Sequence, residues 1–183
     1  VGVDTGYYVT WVRALQSSGS AGELIEQAFV VQNNGERPLS LLFLYALSMV
    51  SGTSLFFTVE YVPLILAPAL ALVTFFVTRE LTTNDIASLF AAFITAISFH
   101  TLIGIYAGFY ANWLALVIGY LSFLFLFRYL KGKEMINLIL FGSLLLLMLF
   151  THVYTWSVLS IAAGIFLVVG ILRPHILSTS RRR

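Results

Sequence analysis

Cysteine is absent from the 183 residues. That absence excludes disulfide frameworks, thiolate metal sites and cysteine nucleophiles. Charge is nearly as scarce: Asp, Glu, Lys and Arg make up 10% of the chain, against about 25% in a soluble domain. So few charges do not coat a water-exposed globule of this size. There is no glycine loop suited to cradling phosphate, no metal-binding helix of the HExxH type and no nucleophile elbow. What fills the chain instead is apolar: 60% of residues are hydrophobic, and the mean hydropathy is +0.95. Lipid is the solvent that such a surface implies.

A helix needs about 20 mostly apolar residues to cross the hydrocarbon core. The stretches 61–78, 86–105, 111–129 and 153–172 meet or approach that length, and 135–151 is slightly short but carries no charge. The expected fold is therefore all-α, a polytopic transmembrane helix bundle of about five spans. Only internally hydrogen-bonded backbone survives in lipid. Pro63 falls in the first turn of its helix, whereas Pro68 lies deeper and is expected to kink it. No charge falls in the middle of a span, which argues against an ion-coupled transporter.

The connectors carry an orientation signal. Arg79, then Arg128, Lys131 and Lys133, then Arg173 and Arg181 to Arg183 fall at alternate span ends. The intervening connectors, 106–110 and the turn at His152, hold no Lys or Arg. The positive-inside rule places the basic connectors and the C-terminus in the cytoplasm. It places the His152 turn and the start of the 61–78 helix on the non-cytoplasmic face of a cell membrane. The apolar run 39–50, led by Pro38, is too short to span comfortably. Read as an interfacial helix, it keeps residues 1–37 on that same face.

Residues 1–37 differ in kind, holding Asp4, Glu23, Glu26 and Glu36 and no long apolar run. Asp4 or Thr5 suits the N-cap of a short helix through Leu15. Tyr8, Trp11, Val12 and Leu15 share one stripe of it. A second short helix is expected over 22–29. The run from Asn33 to Pro38 reads as a turn. Residues 1–57 form, on this reading, an outer loop with juxtamembrane helices, and 58–183 the transmembrane bundle. The chain opens on Val1 without a charged leader, so a segment of a longer protein is expected, with a further span upstream.

Few residues are suited to chemistry. Asp4 is either a helix N-cap or, where partly shielded at the membrane surface, a general base or a ligand to a divalent cation. His100 and His152 lie at or near the outer ends of their spans. Each is either a hydrogen-bonded packing residue or a group that binds phosphate when protonated and accepts protons when neutral. Glu60 is read as a first-turn acid favoured by the helix dipole, or as a site residue. Tyr106, Tyr110, Asn112 and Trp113 form an outer polar and aromatic cluster. Aromatic belts account for its rings and interhelical hydrogen bonding for Asn112. His175 belongs to the cytoplasmic tail. The basic connectors are topology signals able to meet anionic lipid.

An outer-side Asp followed by Tyr7-Tyr8 and a short amphipathic helix leads into Arg37-Pro38 and the apolar Leu39-Ser40-Leu41-Leu42-Phe43. A small-residue break then precedes a long proline-containing span ending in Arg79-Glu80-Leu81. This order resembles the front part of the GT-C membrane glycosyltransferases, the group of protein O-mannosyltransferases and aminoarabinose transferases. The stretches Gly108-Phe109-Tyr110-Ala111-Asn112-Trp113 and Phe150-Thr151-His152-Val153-Tyr154-Thr155 are similar to later segments of archaeal and bacterial members. The resemblance runs through nearly the whole chain on loose motifs. It implies a polyprenyl-phosphate sugar donor, with Asp4 as the catalytic carboxylate. Tyr8, Glu60, His100, Tyr110, Asn112 and His152 would then be substrate-binding, and helix 39–50 would wall the lipid groove. Many members carry an acid or His directly after the catalytic Asp, where this chain has Thr5. The other reading is a non-catalytic membrane subunit or lipid-handling scaffold. Membrane lipid is a partner on either reading, nucleic acid on neither.

Overall fold

The computed structural model describes residues 4–98, 101–104 and 108–172. His100, Tyr106, Arg173, His175 and the terminal arginines lie outside the described residues. Within them the chain is helical, with no strand. In order come α1 (Thr5–Gln16), α2 (Ala21–Glu26), α3 (Pro38–Ser51), α4 (Leu55–Tyr61), α5 (Pro63–Thr82), α6 (Asp85–Ala96), α7 (Tyr110–Gly132), α8 (Met135–Thr151) and α9 (Val153–Leu172).

Four stretches are long and apolar enough to cross a membrane: Leu55–Thr82, Asp85–Gly104, Tyr110–Gly132 and Val153–Gly170. The α8 and α3 helices are apolar but shorter. The outward faces match the solvent that composition implies. In α6 only Ser88 is buried, while Ile86, Leu89, Phe90 and Phe93 are exposed. Half of α7 is buried, far more than of the other three stretches. It is the central helix, packed against α5, α8 and α9. Gly119 allows this closeness: a Cβ there would stand 2.4 Å from Leu159 Cδ1 and 2.7 Å from Met148 Sδ.

The two ends of the bundle differ in chemistry. Where α5 and α7 finish, Lys131 Nζ lies 3.1 Å from Glu80 Oε1 and also donates to the Glu80 backbone oxygen. Arg128 Nε lies 3.5 Å from Glu80 Oε2, and Arg79 Nε 2.8 Å from Asp85 Oδ1. The described basic connectors thus share one end, as their alternation along the chain requires. Residues 4–61 cap the opposite end. Tyr8, Val12 and Leu15 of α1 bury themselves against Leu41 and Leu44 of α3 and Leu55, Val59 and Val62 of the α4–α5 run. That is the stripe expected for α1, except that Trp11 is only partly buried at its edge. α3 has 14 residues, about 21 Å at 1.5 Å per residue, short of the roughly 30 Å core.

Three local expectations change. The helix expected to open at Tyr61 starts at Leu55, because Ser54 caps it by accepting from Phe57 N–H. Glu60 is therefore not a first-turn acid but lies a full turn deeper. The helix expected over 22–29 starts at Ala21 under a Ser20 cap and gives way at Gln27–Val31 to a wide π-type turn. The 86–105 span is regular only through Ala96, after which Ile97 leaves helical geometry. The turn after Gln32 forms as the sequence suggests. Asn33, Asn34 and Gly35 all take positive φ, and a Cβ on Gly35 would stand 2.2 Å from Phe29 O. No side chain fits there.

Candidate functional site

Two small polar clusters occupy the capped end. The first is built where α1 begins. Thr5 is fully buried. Its hydroxyl donates to Glu60 Oε1 at 2.8 Å and meets Tyr110 Oη at 2.9 Å. One side chain thereby ties α1 to α4 and to the start of α7. Tyr8, one turn on, stacks edge-on against Tyr110 at 5.2 Å and accepts from Arg37 Nη1 at 3.0 Å. Burial raises the Tyr8 pKa above 10.0, opposed by the charge and hydrogen bond of Arg37. Tyr8 is thus held as a neutral phenol.

Asp4 stands beside this cluster, half-buried. Gly108, at φ +76°, passes so close that a Cβ on it would lie 3.3 Å from Asp4 Cβ. Asp is favoured at an N-cap because its carboxylate accepts an early free N–H. Here the residue adopts helical φ and ψ, and its side chain caps nothing. The Asp4 backbone oxygen alone joins the helix, accepting from Tyr8 N–H at 3.2 Å. Among the described residues the carboxylate makes no hydrogen bond or ion pair. Thr5, the other expected cap, spends its hydroxyl on Glu60 and Tyr110 instead.

The second cluster lies between α7 and α9. His152 breaks the helix between α8 and α9 with extended backbone. Its Nδ1 lies 2.9 Å from Thr155 Oγ1, which in turn donates to Asn112 Oδ1 at 2.6 Å. A threonine hydroxyl has one proton to give. With that proton on Asn112, the Nδ1 contact requires Nδ1–H as donor, and Nε2 keeps the lone pair. With the Asn112 amide turned so that its NH2 donates to Thr155, Nδ1 accepts and Nε2 carries the proton. Nδ1 then also receives the Thr155 backbone N–H at 3.3 Å. The Asn112 amide and the His152 tautomer therefore switch together. Burial lowers the His152 pKa below 6.5, helped by the charge of Arg37 and opposed by Glu36. The ring is neutral at pH 7, a hydrogen-bonding group rather than a standing cation.

Arg37 joins the two clusters, bonded to Tyr8 in one and felt electrostatically by His152 in the other. The Gln27–Val31 segment just before the turn that carries it reaches α8, with Phe29 against Phe150 at 6.0 Å. Six of the seven expected site residues, Asp4, Tyr8, Glu60, Tyr110, Asn112 and His152, thus gather at one end, and His100 lies outside the described residues. Thr5, Arg37 and Thr155 were not anticipated. In the sequence Thr5 reads as a helix cap, Arg37 as one of two basic residues before Arg79, and Thr155 as part of the polar stretch after His152. Among the described residues no three His, Asp or Glu side chains converge as a metal site would require. No family model, curated protein or solved structure matches this chain.

Proposed function

We propose that this chain is the front portion of a GT-C type membrane glycosyltransferase, moving a sugar from a polyprenyl-phosphate donor to an acceptor hydroxyl at the non-cytoplasmic face. The observation that carries the reading is Asp4. A half-buried carboxylate beside a polar cluster, engaged among the described residues in neither a cap nor an ion pair, suits the role of general base. In the reaction, Asp4 accepts the proton of the acceptor hydroxyl as its oxygen bonds to the anomeric carbon. The bond from that carbon to the donor phosphate breaks, and polyprenyl phosphate departs with the electron pair. Neutral His152 in its Nε2–H form donates a hydrogen bond to the leaving phosphate. Tyr8, Glu60, Tyr110 and Asn112 position the groups around it, and Arg37 adds the positive charge that phosphate favours. A non-catalytic scaffold is the competing reading. It is favoured by the Thr5 and Thr155 bonds, which serve equally to pin helices together.

The test is Asp4→Asn in the full-length protein, assayed in membranes with lipid-linked sugars. Transfer should fall by about 10²–10⁴-fold, the range for losing a general base, with an unchanged thermal midpoint. Undiminished transfer would remove Asp4 from the chemistry. A full-length wild-type protein inert toward every lipid-linked sugar would favour the scaffold.

A further inference from the structure

The basic end of the bundle, remote from Asp4 and His152, holds a cavity of about 440 Å³. That lies inside the range of roughly 300–1,000 Å³ typical of ligand sites. Arg79, Arg128 and Lys131 line it, together with the carboxylates of Glu80 and Asp85. Both acids are already answered. Lys131 Nζ lies 3.1 Å from Glu80 Oε1, and Arg79 Nε lies 2.8 Å from Asp85 Oδ1. Arg128 is the surplus cation, its Nε only reaching Glu80 Oε2 at a long 3.5 Å. The lining thus carries one positive charge beyond its acids. Lys131 is also engaged by the Glu80 backbone oxygen, but the two arginines keep their outer edges open. Each approaches its carboxylate through Nε. Among the described residues none of their terminal nitrogens donates a hydrogen bond. Their side chains are 55% and 46% exposed, so a ligand reaches them from outside the bundle. A guanidinium presents such a free edge bidentately to phosphate oxygens.

The rim of the cavity says which phosphate. Phe76, one turn before Glu80 on α5, lines the cavity and is 41% exposed. Ile86, next to Asp85, is 79% exposed and begins the apolar outer face of α6. The charged lining therefore adjoins the surface that faces hydrocarbon. A free phosphate gains nothing from such a rim, whereas a phosphate carrying acyl chains does. A zwitterionic head group brings no net charge to answer the surplus cation, and an anionic one does. We infer that this cavity is a binding site for the phosphate of an anionic phospholipid, gripped between Arg79 and Arg128. The site narrows the general attraction of basic connectors for anionic lipid to two named side chains. Lys133 stands outside it, turned onto the Tyr129 ring at 5.3 Å and absent from the lining. The inference is independent of the sugar-transfer reading, which concerns the other end of the bundle.

The experiment is lipid binding to the full-length protein in detergent, read by native mass spectrometry with added phosphatidylglycerol or phosphatidylcholine. Phosphatidylglycerol should be retained and phosphatidylcholine should not. Arg128→Gln should weaken phosphatidylglycerol about fivefold, the effect of one basic residue near a membrane surface. Asp85→Asn removes the carboxylate that competes for Arg79 and should tighten it. Lys133→Gln, a charge lost at the same end but outside the lining, should leave binding unchanged. The thermal midpoint in lipid-free detergent should stay near that of the wild type in all three. The expected gain in Asp85→Asn keeps the inference open to refutation even where Arg128→Gln does not fold. Equal retention of the two lipids, an equal loss with Lys133→Gln, or no gain with Asp85→Asn would each overturn it. Inorganic phosphate and glycerol 3-phosphate, at the concentration of the lipid, should not displace it. Full displacement by either would assign the cavity to a free phosphate and overturn the lipid reading. Asp4→Asn should bind the lipid as the wild type does, so the two ends fail or stand separately.

Discussion

At the scale of single residues, the capped end is governed by how few proton-bearing groups it has and how each is engaged. Thr5 and Thr155 are ordinary in sequence, yet each hydroxyl sits between two partners on other turns or helices. Asp4 is the reverse case, a residue with strong capping propensity that does not cap. Local propensity is a weak prior, and tertiary context overrides it when the backbone takes another angle. The His152 titration gives a prediction at this scale. Its folded pKa is lowered by burial and by Arg37, so the unfolded chain takes up the proton first. Stability is then full above the unfolded value near 6.5 and declines as pH falls through the lower folded value. Arg37→Met removes one of the lowering causes and should move the His152 titration upward, by NMR of the labelled imidazole. Glu36→Gln should move it downward. Movement in the same direction for both variants would contradict the electrostatic account.

At the scale of elements, close approach matters more than helix propensity. A glycine inside a helix is ordinarily about 1 kcal/mol worse than alanine, so Gly119→Ala should stabilise an isolated α7. In the bundle the added Cβ meets Leu159 and Met148 at separations that real contacts do not reach. Both atoms lie toward the ends of flexible side chains, so relief comes by side-chain shifts. With Met148 fully buried, the cost falls at the low end of the range of about 1–3 kcal/mol for overpacking. Gly119→Ala should therefore lower the thermal midpoint in detergent, and Leu159→Ala in the same chain should recover part of the loss. The α4 boundary teaches a related lesson. The pattern placed the helix start at the apolar run from Tyr61, but Ser54 and the stripe of Leu55, Val59 and Val62 against α1 draw the helix back by six residues. No signal local to 61–78 reports that packing partner.

At the scale of the whole molecule, the two ends carry the argument. The described basic connectors cluster at one end, and Asp4, Glu60 and His152 gather under the cap at the other. The absence of cysteine makes the proposed orientation easy to check. A single cysteine at Glu36, exposed in the cap turn, should react with a membrane-impermeant maleimide in intact cells. One at Glu134, between α7 and α8, should react only after the membrane is permeabilised. The reverse pattern would invert the topology. Length, apolar content and connector charge by themselves determined that the chain is a bundle of membrane-length helices, because backbone in lipid has few other ways to satisfy its hydrogen bonds. The stripe of α1 was equally legible, since burial follows helical period. Only the tertiary structure decided which groups meet. The Thr5 bonds to Glu60 and Tyr110, the Arg37 bridge and the coupled His152–Thr155–Asn112 chain each join residues remote in sequence. A hydrogen-bond partner across 43, 55 or 105 residues is set by helix packing, which no local pattern encodes.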